Sequence, residues 1–181
     1  MNNYVTKLNL PMDVEFDFEK YLVYNKAQNA ADKLVAPSNL VELLTKHGMI
    51  IDWLEVFVLR PGQNHPIHTD GPEIDNKAKF NYIVGGAGSK MRWYDSTLEN
   101  CRVHVTSTGN TCMLAKNPAT IKTLYEEEIR GFVVAKVGIL HDVTNPNEMR
   151  FCLSLALHDA VTDARLSYEE VVDRLSDYII V

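Results

Sequence analysis

Met149-Arg150-Phe151-Cys152-Leu153-Ser154-Leu155-Ala156-Leu157 carries a large apolar residue at every odd position and Arg, Cys, Ser or Ala at every even one. Successive side chains of a β-strand point to opposite faces, so this stretch reads as a strand with one face packed against a core or helices. The other face suits a narrow, polar-ended pocket. Upstream, MIIDWLEVFVLRPG (49–62) is rich in β-branched and aromatic residues and closes on a Pro-Gly turn, again the pattern of a strand. KFNYIVGG (79–86), SKMRWYD (89–95), RVHVTS (102–107), NTCML (110–114), TIKTLY (120–125) and FVVAKV (132–137) are further strand candidates, most of them separated by turn residues. Gly85-Gly86-Ala87-Gly88 lacks the Lys-Ser/Thr and following helix of a phosphate loop and reads as a hairpin turn.

Many short strands with regular turn punctuation predict an antiparallel sandwich, a jelly roll or a related barrel. The helices are expected at the ends. Ser38 follows Pro37 and precedes NLVELLTKHG, which reads as an N-cap, a helix over 39–47 and a stop at Gly48. The stretch Phe18–Leu34 has mixed helical character. Near the other end, Ser167-Tyr168-Glu169-Glu170 forms a capping box, and Tyr168, Val171, Val172, Leu175, Tyr178 and Ile179 make one apolar stripe at helical spacing. With 181 residues and no linker-like tract, the chain is expected to be a single domain over 1–181. Its expected parts are a helical support region at 1–48, a β core at 49–157 and a C-terminal helix at 166–179.

Lysine and arginine total 18 against 24 acidic residues, a net charge of -6, and no basic run interleaved with aromatics is present to follow a phosphate backbone. Nucleic acid is not an expected partner. The first twenty residues lack a basic segment followed by an apolar one, and no stretch is apolar for long enough to span a bilayer, so a cytoplasmic location without a membrane is expected. Cys101, Cys112 and Cys152 are odd in number and show no C-x-x-C spacing, which points to free thiols.

The chemistry concentrates in His68-Thr69-Asp70 and His141. Alternation in extended backbone puts side chains i and i+2 on the same side, so one imidazole and one carboxylate can converge on an ion. His141 lies far downstream, beyond several strands, and can supply a third ligand. Two imidazoles and one carboxylate on one face leave coordination positions open, as a non-haem Fe(II) oxygenase requires. The segment PGQNHPIHTDG also permits a His65/His68 pair, ranked second because i and i+3 face different sides of a strand. An Arg at position 150, on a strand face directed into a pocket, would be costly without an anion and pairs naturally with a carboxylate, with Ser154 as a further donor.

HTD (68–70), then HDVTNPNEMR (141–150), resembles the Fe(II)/2-oxoglutarate-dependent oxygenases, in particular their aspartyl/asparaginyl and prolyl hydroxylase branches. The resemblance covers roughly residues 50–157. It implies a double-stranded β-helix (jelly roll, cupin-like), mainly β with flanking helices. It further implies Fe(II) held by His68, Asp70 and His141, and 2-oxoglutarate as co-substrate bound by Arg150. The strand after H-x-D lines the co-substrate site in that family, which nominates Asn81 or Tyr82, with Lys90, Arg92 and Trp93 as substrate contacts. The implied partners are dioxygen and a small-molecule or peptide substrate, and the implied products are succinate, CO2 and a hydroxylated substrate.

Two other readings compete. Gly138-Ile139-Leu140-His141-Asp142-Val143-Thr144-Asn145 also resembles the second half of the cupin motif, G-x-x-H-x-x-x-N, which implies a metal-dependent cupin enzyme without 2-oxoglutarate. Cupins place H-x-H where this chain has His68-Thr69-Asp70. A non-catalytic jelly-roll binding module, with the triad in structural use, is the third reading, since the fold alone does not decide function.

Overall fold

The computed structural model describes residues 3–18, 35–106, 111–145 and 147–180. In chain order these form β1 (Val5–Leu8), α1 (Ser38–Lys46), β2 (Met49–Leu59), β3 (Ala78–Gly85), β4 (Lys90–Tyr94), β5 (Cys101–Val105), β6 (Thr111–Ala115), β7 (Thr123–Glu128), β8 (Gly131–Lys136), β9 (His141–Thr144), β10 (Arg150–Asp159) and α2 (Tyr168–Arg174). The chain is mainly β, with antiparallel pairing throughout and helices flanking the strands. No helix among the described residues is long and apolar enough to cross a membrane.

One sheet has the order β1-β8-β3-β10-β2. A second has the order β7-β4-β9, and β5 pairs with β6. Residues 64–68 join these last two: Asn64 bridges to Thr144, while His68 bridges to His141 on one side and to Leu114 on the other. The second layer therefore runs β7-β4-β9, then 64–68, then β6-β5.

The alternation in β10 explains how the layers stack. Leu153, Leu155 and Leu157 are fully buried against Leu40 and Leu44 of α1 and Tyr168 and Val171 of α2. Cys152, on the other face, packs with Ile83, Val133 and Ala135 of the first sheet and Met91 and Trp93 of the second. Each buried leucine contributes about 1.5–3 kcal/mol, which is what fixes the register of β10: a slip of one residue would turn the leucines into the polar pocket and Arg150 into the apolar layer. The pocket is thus an inter-layer space and the helices close the outer face.

Several elements differ from the sequence expectation. Ser38 is the first helical residue rather than the N-cap; the cap is Pro37, whose extended backbone turns its carbonyl toward the amides of Leu40 and Val41, both at 3.1 Å. The C-terminal helix is shorter than 166–179, with α2 at Tyr168–Arg174 followed by a 3₁₀ turn at Ser176–Tyr178, although both reciprocal bonds of the capping box between Ser167 and Glu170 are made. The support region at 1–48 contains strand β1 as well as helix α1. Beyond Phe18, the helical stretch expected over Phe18–Leu34 lies outside the described residues. Thr120 belongs to a 3₁₀ turn, so β7 starts at Thr123. Gly85–Gly88 is not a hairpin turn, because β3 pairs with β8 and β10 whereas β4 pairs with β7 and β9; the glycines carry the chain from one layer to the other.

Candidate metal centre

Residues 64–68 run beside β9, and the main chain brings His68 and His141 together across that pairing. Next in the chain is Thr69, whose hydroxyl donates to the Gly71 carbonyl at 2.6 Å and accepts from the Met113 amide at 3.1 Å. The Asp70 amide donates to the Val137 carbonyl at 2.8 Å. These bonds hold the carboxylate next to the two imidazoles: one ligand atom from each of His68, Asp70 and His141 lies within 4.8 Å of the others, a group able to hold a metal ion.

The imidazoles are prepared for that role. His68 Nδ1 faces the Pro66 carbonyl at 2.8 Å and His141 Nδ1 faces the Ile139 carbonyl at 2.9 Å. A carbonyl only accepts, so each Nδ1 carries a hydrogen, which makes Nε2 the nitrogen of each ring that meets an ion once it holds no proton. Both Nε2 atoms face Asp70 Oδ1, at 3.2 Å from His68 and 3.8 Å from His141. Burial, reinforced by the charge of His68, pushes the His141 pKa down to about 4. Burial also opposes charging of His68, but the bond to Asp70 outweighs it and raises the His68 pKa. Burial alone would raise the Asp70 pKa; Lys79 and the histidines overcome it and hold the carboxyl well below its usual range.

A cavity of about 50 Å³ adjoins the three ligands and is lined as well by His65, Lys79, Asn81, Arg150, Cys152 and Ser154. Arg150 is only 3% exposed and its Nε has no hydrogen-bond partner; nor does the buried Oδ1 of Asn81 in the same cavity. Among the described residues no carboxylate forms an ion pair with Arg150. A buried guanidinium without a counter-charge is costly, and an anion entering the cavity would relieve that cost. Ser154, 2% exposed, stands four residues from Arg150 on the same face of β10, with Cys152 between them on that face.

Other nominated residues lie elsewhere. Tyr82 is on the opposite face of β3 from Asn81, with its ring centroid 4.6 Å from that of Phe132, because neighbours in a strand point oppositely. Lys90 is exposed and paired with Glu126 at 2.5 Å. Arg92 points away from the cavity and binds Asp142, Nε to Oδ1 at 3.0 Å, while the Tyr94 hydroxyl donates to Asp142 Oδ2 at 2.9 Å. Trp93 is fully buried between the layers and donates its indole N–H to the Lys136 carbonyl at 2.7 Å. None of these four lines the cavity. His65 does line it, its ring edge-on to Phe57 with centroids 5.5 Å apart, but it is not one of the three clustered ligands. Burial, then the charge of His68, lowers the His65 pKa to about 4. Asn145 of the cupin-like pattern is a structural clamp, its amide donating to the carbonyls of Leu59, Arg60 and Glu148.

Sequence reasoning missed Lys79 and Glu55. Lys79 Nζ lies 3.0 Å from Asp70 Oδ2 and also bonds Glu55. Parity was the available signal, since Lys79 is two residues from Asn81 and shares its face.

No protein-family model and no curated protein matches the sequence. Among solved structures, the crystal structure of Peruvianin-I, a cysteine peptidase from Thevetia peruviana latex, is similar at 12% identity over 91% of this chain and 92% of that one, with a TM-score of 0.30. A likeness that slight bears on neither fold nor chemistry.

Proposed function

We propose that this chain is a non-haem Fe(II)- and 2-oxoglutarate-dependent oxygenase built on a double-stranded β-helix. The strand order supports the fold: β2, β3, β8 and β10 share one layer while residues 64–68 and β4, β7 and β9 share the other, so that the chain winds back and forth between two antiparallel layers. The donor set supports the metal. Two imidazoles, both neutral once an ion has displaced the proton of His68, and one ionised carboxylate suit Fe(II) and leave positions for exogenous ligands. The observation that carries the co-substrate is the buried guanidinium of Arg150, which meets no carboxylate among the described residues and whose Nε has no hydrogen-bond partner, in the same cavity as those ligands.

On this reading His68, Asp70 and His141 hold the iron, and Arg150, with Ser154 and the Asn81 amide, binds the far carboxylate of 2-oxoglutarate. When bound, the iron supplies the redox chemistry by which dioxygen converts 2-oxoglutarate to succinate and CO2 and oxidises the substrate. The protein orients and shields. Carbonyl acceptors at Pro66 and Ile139 fix the imidazole tautomers, and Lys79 keeps Asp70 ionised. Phe57, Met91, Ile129, Val137 and Val143 give the cavity an apolar wall that excludes water. The substrate class is an amino-acid side chain or a small molecule. Asp70 in place of a second H-x-H histidine argues against a cupin enzyme, and the arginine argues against a module with an idle triad.

Anaerobic titration with Fe(II) and then 2-oxoglutarate tests the proposal. The expected result is a visible metal-to-ligand charge-transfer band in the native protein and its loss at matched concentrations in Arg150→Ala, with iron still bound. A native protein that takes up iron and shows no band with 2-oxoglutarate overturns the co-substrate assignment.

A further inference from the structure

The two oxygens of Asp70 are divided between different neighbours. Oδ1 lies 3.2 Å from His68 Nε2 and 3.8 Å from His141 Nε2, whereas Oδ2 lies 3.0 Å from Lys79 Nζ. Lys79 is tethered in turn by Glu55 of β2, on the far side of β10 from its own strand β3. Both side chains are largely shielded, Lys79 at 10% exposure and Glu55 at 15%, so water does not readily replace either partner.

We propose that Lys79, anchored by Glu55, is a positioning residue that reserves one oxygen of Asp70, so that Asp70 meets the metal through Oδ1 alone and a coordination position stays free for an exogenous ligand. The assignment rests on the metal-centre part of the function proposed above and on nothing in its co-substrate part. A carboxylate binds metals through one oxygen or both, and the terminal torsion of aspartate is broad, so an untethered Asp70 is free to chelate and take two positions. An ammonium beside a divalent ion is by itself repulsive, but Glu55 compensates its charge. The pair therefore acts on geometry more than on the net field. Replacing both residues with neutral counterparts of similar shape removes the tether and leaves the net charge unchanged.

Mn(II) is the probe, because its bound waters speed the relaxation of bulk water protons in proportion to their number. The full chain and its Glu55→Gln/Lys79→Met variant are compared in Mn(II) affinity and in relaxivity per bound ion, with circular dichroism as the check on folding. The expected result is a lower relaxivity per ion in the double variant, as the second oxygen displaces water, together with a change in affinity of about tenfold or more, the range typical for outer partners of metal ligands. Lys79→Arg, which still donates to both carboxylates, is expected to keep both quantities near native. A folded double variant with native relaxivity and native affinity overturns the proposal. If the double variant does not fold, Glu55→Gln alone, which loosens the anchor, is read by the same two quantities, and native values there overturn it equally. Native protein that binds no Mn(II) removes the metal centre and this role together; native protein that binds Mn(II) without a 2-oxoglutarate band leaves the role of Lys79 standing.

Discussion

His68 and His141 exchange both of their backbone hydrogen bonds, His68 N to His141 O at 2.9 Å and His141 N to His68 O at 2.8 Å. The main chain, not the ion, therefore sets the approach of the two rings, whose centroids are 4.5 Å apart. Two imidazoles held in this way form a site before any metal arrives. His68→Ala and His141→Ala are expected to keep the fold, with stability changed by about 1–2 kcal/mol, the ordinary range for a truncation. Each should weaken Co(II) or Fe(II) binding by more than the roughly 10–100-fold seen when an outer partner is lost. Calorimetric metal titration beside chemical denaturation separates the two effects, and native metal affinity in either variant would remove that residue from the ligand set.

The two histidines respond differently to acid. His141 has a pKa of about 4 and is neutral throughout the neutral range, whereas His68 has a raised pKa and carries a proton into it. Metal binding has to displace that proton, so affinity should rise with pH up to the pKa of His68 by about tenfold per unit and then level off. The metal-free protein follows the opposite sign. A raised folded-state pKa contributes stability below the unfolded value, and that contribution disappears as pH rises through the folded value. Co(II) titrations across this range, in buffers of differing ionisation heat, should report release of about one proton per ion. Binding that is independent of pH would contradict the His68–Asp70 pairing.

Gly86 lies against Arg150, the buried arginine that no carboxylate meets among the described residues. Its φ is +69°, and a Cβ there would sit 2.8 Å from both Cβ and Cγ of Arg150. These are the near, inflexible atoms of the side chain, so Gly86→Ala should displace the guanidinium and cost about 1–3 kcal/mol in strain and crowding. The expected signature is selective: weaker 2-oxoglutarate binding with Fe(II) affinity close to native. Equal losses of both would show that the change spreads through the site and is not confined to Arg150.

What the sequence made legible follows from parity. In β10, alternation placed the leucines against the helices and Arg150, Cys152 and Ser154 toward the pocket, and the same rule made His68 and Asp70 neighbours. Parity also separates Asn81 from Tyr82, but only once one face of β3 is known to be the inner one. Pairing between distant strands was not legible. β9 is four residues long and contains Asp142, whose charge is met by Arg92 and Tyr94 from another strand, so nothing local marks it as a strand. Lys79 and Glu55 look like solvated residues in sequence; their mutual compensation is a tertiary fact. Gly85–Gly88 resembled a hairpin because a glycine-rich turn reverses the chain equally well within a sheet or between layers.

The loop that follows Asp70 is docked rather than free, and the docking depends on Gly138. Asp75 N donates to the Gly138 carbonyl at 2.9 Å, and the amides of Val137 and Gly138 donate to the Lys77 carbonyl at 2.9 and 3.2 Å. With the Asp70 amide bound to the Val137 carbonyl at 2.8 Å, the turn between β8 and β9 supports the segment that presents the carboxylate ligand and, three residues later, His141 itself. A Cβ on Gly138 would lie 1.8 Å from Asp75 Oδ1 and 2.6 Å from the Asp75 carbonyl oxygen. The side-chain clash could be relieved by rotation, but the backbone one moves the loop. Gly138→Ala is therefore expected to weaken metal binding by about tenfold or more, comparable to losing an outer partner, although the residue touches no ligand atom. Asp75→Ala in the same background removes the side-chain clash and leaves the backbone one, so it should restore little. Calorimetric titration of both variants checks this, and full recovery in the double variant would place the effect in the Asp75 carboxylate instead of the loop backbone.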